Sequence, residues 1–189
     1  MALNDVALAS RALIRIGSAP ITSFTDGSSE EEIANALFEP TTNALLSSYA
    51  WSFATAQFRL TQLETDPIAD YSYAFQLPND FLRALSAGTG TRGRGLNYRI
   101  QGNELHTNSS SVLLTYVFRP SKENFPPYFD QAVIARLAAE FVIPITESTS
   151  RAETMFGLAE AEFKRARQID AQQDTPNKIE NFTLTDVRD

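Results

Sequence analysis

Apolar positions in the first fifty residues recur at helical spacing. Val6, Ala9, Leu13 and Ile16 fall on one face, with Asn4 placed to cap and Asp5 placed at the positive end of the helix dipole. Gly17 and Pro20 stop this helix, and residues 18–27 connect it to the next through the turn pair Asp26-Gly27. The run Ser28-Ser29-Glu30-Glu31-Glu32 holds two overlapping capping boxes, Ser28 with Glu31 and Ser29 with Glu32. Either one starts a second helix whose apolar face is Ile33, Leu37 and Phe38. Pro40 removes a backbone donor, which predicts a kink or break, with the helix restarting at Thr41 and carrying Ala44, Leu45, Leu46 and Tyr49 toward Trp51.

From about Phe53 to Phe118 the helical period fades. Short β-branched and aromatic runs take its place between turn residues. Residues 71–77 alternate and end at Pro78. Residues 96–100 make a second candidate strand, and 104–107 a third, after Gly102-Asn103. The strongest candidate is 112–118, closed by Pro120. Together these predict a small antiparallel sheet, with residues 89–95 (Thr-Gly-Thr-Arg-Gly-Arg-Gly) as a flexible loop.

Helical spacing returns after Pro126-Pro127. Val133, Ile134, Leu137, Ala138 and Phe141 form one face, which Pro144 is expected to end. Ser148 caps a last helix with the face Ala152, Met155, Ala159, Phe163, Ala166 and Ile169. The remaining tail is polar, studded by Ile179, Phe182, Leu184 and Val187. The pattern therefore predicts an α+β fold: helical halves at 1–52 and 126–170, an inserted antiparallel β-rich subdomain at 53–125 between them, and an extended C-terminal arm at 171–189.

Composition narrows the chemistry. The chain has 189 residues and no cysteine, so disulfides, thiolate metal sites and cysteine nucleophiles are excluded together. The start lacks the basic and apolar regions of a secretory signal. No apolar run approaches the ~18 residues that span a bilayer, so no membrane partner is expected. The formal net charge is −7. A protein gripping DNA backbone is expected to be basic. An acidic surface instead suits a wall that DNA slides past, or simply a soluble acidic protein.

His106, beside Glu104, is the one histidine. A zinc site needs several converging ligands, and no Gly-x-Ser-x-Gly elbow is present for a hydrolase triad. His106 is expected to be solvent-exposed or hydrogen-bonded within its strand. No cofactor, metal or catalytic residue is expected. Arg92 and Arg94, on the glycine loop, lack the Lys-Ser/Thr of a phosphate-binding loop. They read as a mobile hairpin, or as a contact to a phosphate backbone, a neighbouring subunit's carboxylate or a tail component. Glu30, Glu31 and Glu32 diverge around a helix, so capping explains them better than metal binding.

Two stretches carry a resemblance. The first is Phe38-Glu39-Pro40-Thr41-Thr42-Asn43-Ala44-Leu45-Leu46-Ser47-Ser48-Tyr49-Ala50-Trp51-Ser52-Phe53-Ala54, and the second is Tyr73-Ala74-Phe75-Gln76-Leu77-Pro78-Asn79-Asp80-Phe81-Leu82-Arg83. Both resemble the tail tubular protein A family, the head-to-tail adaptors of short-tailed bacteriophages. The family shows an aromatic-x-Pro, a leucine pair and Pro-Trp-x-Phe-Ala, then aromatic-x-Leu-Pro-x-Asp-x-Leu-Arg. Ala50 stands here where proline is usual, so the helix is expected to run on toward Trp51. Asn43 stands where arginine is frequent. In order of elements the resemblance extends from Asp5 to about Gln173.

The resemblance implies that the helical halves 1–52 and 126–170 form a helical bundle with a β-rich insertion, and that the chain is a non-enzymatic virion protein at the head-tail junction, met in the host cytoplasm during assembly. It would form a ring of copies of itself, twelve in the family, between the portal protein and the tail nozzle, with DNA passing through the lumen unbound. Similar adaptors occur in gene transfer agents and some long-tailed phages. Trp51, Phe53, Leu77, Pro78 and Asp80 read as fold anchors, the last as a cap on the turn after Pro78.

The arm, with Ile179, Phe182, Leu184, Val187 and Arg188, reads as the element that docks on the portal or a neighbour. About twenty extended residues reach ~65 Å. Its four apolar anchors contribute about 6–12 kcal/mol, whereas ordering twenty backbones costs about 20 kcal/mol or more. The arm therefore needs partner hydrogen bonds as well, and the free subunit is expected to be a monomer whose arm orders only on the portal. The rival readings are a tail-associated glycan hydrolase, for which Glu64, Asp66, Asp70, Asp80 and Glu104 show no paired spacing, and a DNA-packaging factor, disfavoured by charge.

Overall fold

Asn4 caps the first helix, α1 (Asp5–Arg15): its side chain accepts from the Ala7 amide at 2.8 Å. The second helix, α2 (Ser29–Ser48), is started by Ser28, which accepts from the Glu31 amide. Of the two serines that could start the helix, Ser28 is therefore the one that caps it. The computed structural model describes residues 3–25, 27–91 and 93–173, and these form an α+β fold with four helices and two antiparallel sheets.

Two expectations for α2 are corrected. The helix is unbroken through Pro40, and it stops at Ser48 rather than running on toward Trp51. Ring and missing donor disturb only the ladder around Ala36, and Thr42 Oγ1 adds a 2.8 Å bond to the Phe38 carbonyl across that turn. Tyr49 is extended, with φ −140° and ψ 156°, so the chain turns out of the helix before Ala50.

Instead of one sheet there are two. Strands β1 (Thr55–Arg59), β4 (Phe81–Gly88) and β7 (Leu113–Phe118) form the order β1-β7-β4. Strands β2 (Thr61–Gln62), β3 (Tyr73–Gln76), β5 (Tyr98–Gln101) and β6 (Glu104–Thr107) form the order β2-β3-β6-β5. The chain passes from the first sheet to the second at buried Leu60, whose amide donates to Val112. Sequence periodicity missed β1, β2 and β4.

Strand β7 shows why both sheets are needed. Leu114 and Tyr116 face a core shared with Leu60, Phe75, Leu77, Ala87 and Leu105, while Val117 points the other way into the helices. The first sheet is thus covered on both faces. Residues 89–95 are not simply a loose loop: the Gly93 carbonyl accepts from Ser86 Oγ at 2.7 Å and the Leu96 amide donates to Ala87. A Cβ at Gly93 would lie 3.0 Å from the side-chain ends of Gln57 and Thr115, so glycine lets this backbone sit against the sheet.

The third helix, α3 (Pro127–Thr146), is central. Phe129, Val133, Ala135, Leu137, Ala139 and Phe141 are all buried, on several sides of the helix rather than on one stripe. It passes Pro144 and ends at Glu147, which adopts a left-handed conformation at φ 54°. Proline there removes only one bond of the last turn. Ser148 caps the fourth helix, α4 (Thr149–Asp170), which packs along α3.

Asp130, in the first turns of α3, is 7% exposed, and its Oδ1 has no hydrogen-bond partner. Burial pushes its carboxyl up to about 6, with the nearby Arg11 charge opposing the shift. A raised native value means that the proton binds more tightly in the folded chain. The resulting stabilisation is complete below about pH 3.8 and is lost as pH rises through about 6. Asp130→Asn is therefore expected to be more stable than wild type by about 1–2 kcal/mol at pH 7 and no more stable at pH 4. Urea denaturation at the two pH values checks this.

Candidate interaction surfaces

The two stretches singled out by sequence lie at structural junctions. Trp51 is fully buried between the helices and the sheet. Its ring lies 5.1 Å from Tyr49, 5.0 Å from Phe129 and 5.7 Å from Phe163, and its Nε1 donates to the Leu45 carbonyl at 3.1 Å. Phe53 packs at an angle against the same group, 5.0 Å from Phe129 and 6.0 Å from Phe125. These rings join α2, α3 and α4 to the start of β1.

The second stretch links the two sheets. Leu77 is buried in the core between them, directly after β3, and Pro78 comes next. Asp80 does a different job from the expected turn cap. Its carboxylate accepts from Tyr116 Oη at 3.1 Å on β7, and its carbonyl accepts from the Arg119 amide. Burial, then the Asp80 charge, push the Tyr116 phenol up to about 12.

His106 is 8% exposed, with Nε2 at 2.9 Å from Glu104 Oε2, the hydrogen-bonded alternative of the two expected. The other sheet-region carboxylates are spread out: Asp70 meets Arg99 at 3.3 Å on the surface. Among the described residues no three His, Cys, Asp or Glu side chains gather as a metal site would require, and no helix is long and apolar enough to cross a membrane. Arg94 is exposed beside the pinned Gly93, while Arg92 lies outside the described residues. Ile179, Phe182, Leu184, Val187 and Arg188 also lie outside them.

Sequence reading missed Asp170. This last residue of α4 is 2% exposed, yet its carboxylate is fully employed. It accepts from the Ser52 amide at 3.0 Å, from Ser52 Oγ at 2.8 Å and from Tyr128 Oη at 2.7 Å. Ser52 precedes the β region and Tyr128 follows it, so one carboxylate gathers both ends of that region at the point where the C-terminal segment departs. Burial, and then the bond to Asp170, raise the Tyr128 phenol to about 12. A signal was available: an acid at a helix C-terminus opposes the dipole and implies donors elsewhere.

A groove was also missed. Helices α2 and α4 both pack on α3 but hardly touch each other. Between them lies an open hollow of about 390 Å³ floored by Leu45, Ala159 and Phe163, with Arg136 held by Glu140 and Glu160 at its side. A second hollow of about 660 Å³ meets it at Glu160 and Phe163 and runs past Tyr49 and Arg167 to Ala171. Arg167 lies 4.9 Å over the Tyr49 ring.

No protein-family model matches this chain, and no curated protein matches it significantly.

Proposed function

We propose that this chain is a structural head-to-tail adaptor of a phage particle, working as a ring between portal and tail and carrying out no chemistry itself. The observation that carries the reading is the pair of stretches, 38–54 and 73–83, that resemble the tail tubular protein A family. Their aromatic and Leu-Pro-x-Asp positions hold the helices to the sheets and the sheets to each other. The order of elements, two helices, a β region and two helices, is the order the resemblance implies.

Asp170 fixes the root of the C-terminal segment at a defined place on every subunit. A ring multiplies such weak contacts by holding many of them at once. The acidic balance, −7 over the chain, favours passage of DNA over retention of it.

Negative-stain images of the chain mixed with its cognate portal are expected to show added density as a ring beneath the portal, and purified particles are expected to contain the chain. Its absence from particles overturns the reading. The particle that contains it also decides between a short-tailed phage, a long-tailed phage and a gene transfer agent. Deleting residues 174–189 is expected to leave the helical circular dichroism intact and to abolish co-sedimentation with portals. Full attachment by the truncated chain would remove the arm from the mechanism. Incubation with purified murein is expected to leave its turbidity unchanged.

A further inference from the structure

We propose that the groove between α2 and α4 receives part of the chain's own C-terminal segment, residues 179–184, while the subunit is free. The inference rests on the adaptor reading only for what later draws the segment out. The groove itself follows from packing: α2 and α4 sit side by side on α3 without closing over it, leaving Phe163 and Leu45 on the floor.

The segment starts where the groove ends. Ala171 lines its mouth, and a turn follows at once, with the Gln172 amide donating to Ile169 and the Gln173 amide to Asp170. From Ala171 back to Ala159 the groove runs along twelve residues of α4, about 18 Å at a helical rise of ~1.5 Å per residue. Nine extended residues carry the chain from Gln173 to Phe182, a reach of about 30 Å. Ile179, Phe182 and Leu184 can therefore lie anywhere along the floor with the chain antiparallel to α4.

Charge favours the same occupant. Glu140 and Glu160 are engaged by Arg136. Lys164 and Arg167 line the mouth with no carboxylate partner among the described residues. The one charged residue within 179–184 is an acid, Glu180, which complements that rim. Only six residues need order here, against the twenty whose ordering cost argued that the arm orders only on the portal. Docking of this short piece is correspondingly weak and releasable, and a portal that binds the same apolar residues competes for it.

The cysteine-free sequence allows a clean test. A nitroxide is placed on Thr183→Cys in the isotope-labelled full chain. The amide peaks of Ala44, Ala161 and Lys164 are expected to vanish, and to return when the nitroxide is reduced. The same loss is expected to be absent in an Ala44→Trp background, where an exposed groove position is filled, with circular dichroism confirming the fold. It is also expected to be absent when the nitroxide is on an unlabelled copy mixed with an unmodified labelled one. Peaks that persist in the first sample overturn the proposal. So does loss that survives Ala44→Trp, and so does loss in the mixed sample, which would make a second copy the occupant. Portal co-sedimentation is scored separately, so this proposal and the adaptor reading can fail independently.

Discussion

Trp51→Ala is expected to lower the stability of the chain by about 3–5 kcal/mol, the range for truncating a fully buried tryptophan. At ~2–4 °C per kcal/mol for a chain of this length, the melting temperature should fall by roughly 6–20 °C. Two losses combine. The cavity left by the indole is bordered by Tyr49, Phe53, Phe129 and Phe163, rings held on different elements that cannot all move inward. The Leu45 carbonyl also loses the indole donor in a dry place. Trp51→Phe keeps most of the ring contacts and should cost about 1–2 kcal/mol less than the alanine change. Trp51 is the sole tryptophan, so unfolding must be followed by far-ultraviolet circular dichroism. A loss below about 1 kcal/mol would mean that the junction collapses around the gap, contrary to the close packing expected there.

Asp170→Ala is expected to cost about 2–4 kcal/mol, because it orphans the Ser52 amide, the Ser52 hydroxyl and the Tyr128 phenol together. Asp170→Asn retains an acceptor for the amide and should lose about half as much. A second readout is specific to the carboxylate. Tyr128 is raised to about 12 first by burial and then by its bond to Asp170 and the charge there. Removing the acid takes away the latter two causes and leaves burial, so the phenol should titrate at a lower pH, though still above its ordinary value. Phenolate absorbance across an alkaline titration checks this, with Tyr128→Phe identifying the signal. An unchanged titration alongside lost stability would show that Tyr128 does not depend on the carboxylate.

The helices were legible because capping and period agreed. Asn4, Ser28 and Ser148 each cap as their sequence context predicts. Their interruptions were not, because a proline in a packed helix costs one ladder bond and neighbouring burial outweighs it, as at Pro40 and Pro144. Strand β3 announced itself by alternation, β6 by the turn before it and β7 by its β-branched and aromatic run. Strand β4 could not, since two register shifts, between Phe81 and Arg83 and between Ala84 and Ser86, reset its faces. Its inward residues therefore fall three apart, Phe81, Ala84 and Ala87 toward one core, Leu82 and Leu85 toward the other. Strand β1 leaves Phe58 half exposed, so it carries little burial pattern to read. Trp51, Phe53, Leu77 and Asp80 were visible as large or turn-forming residues in a recognisable order, though the partner of Asp80 was not. The acid at the end of α4 signals a need for donors, but its pairing with Ser52 and the α2–α4 groove both depend on residues over a hundred positions apart, and no local pattern encodes that separation.

The carboxylate at the end of α4 also decides how the subunit bears load. Tension applied to the segment beyond it first meets the backbone bonds of Ala171, Gln172 and Gln173. It passes through three hydrogen bonds to Ser52 and Tyr128, and so divides between two backbone strands that lead into the sheets and the central helix. Bonds strained in parallel yield together rather than one after another, which suits a part that is pulled from its end.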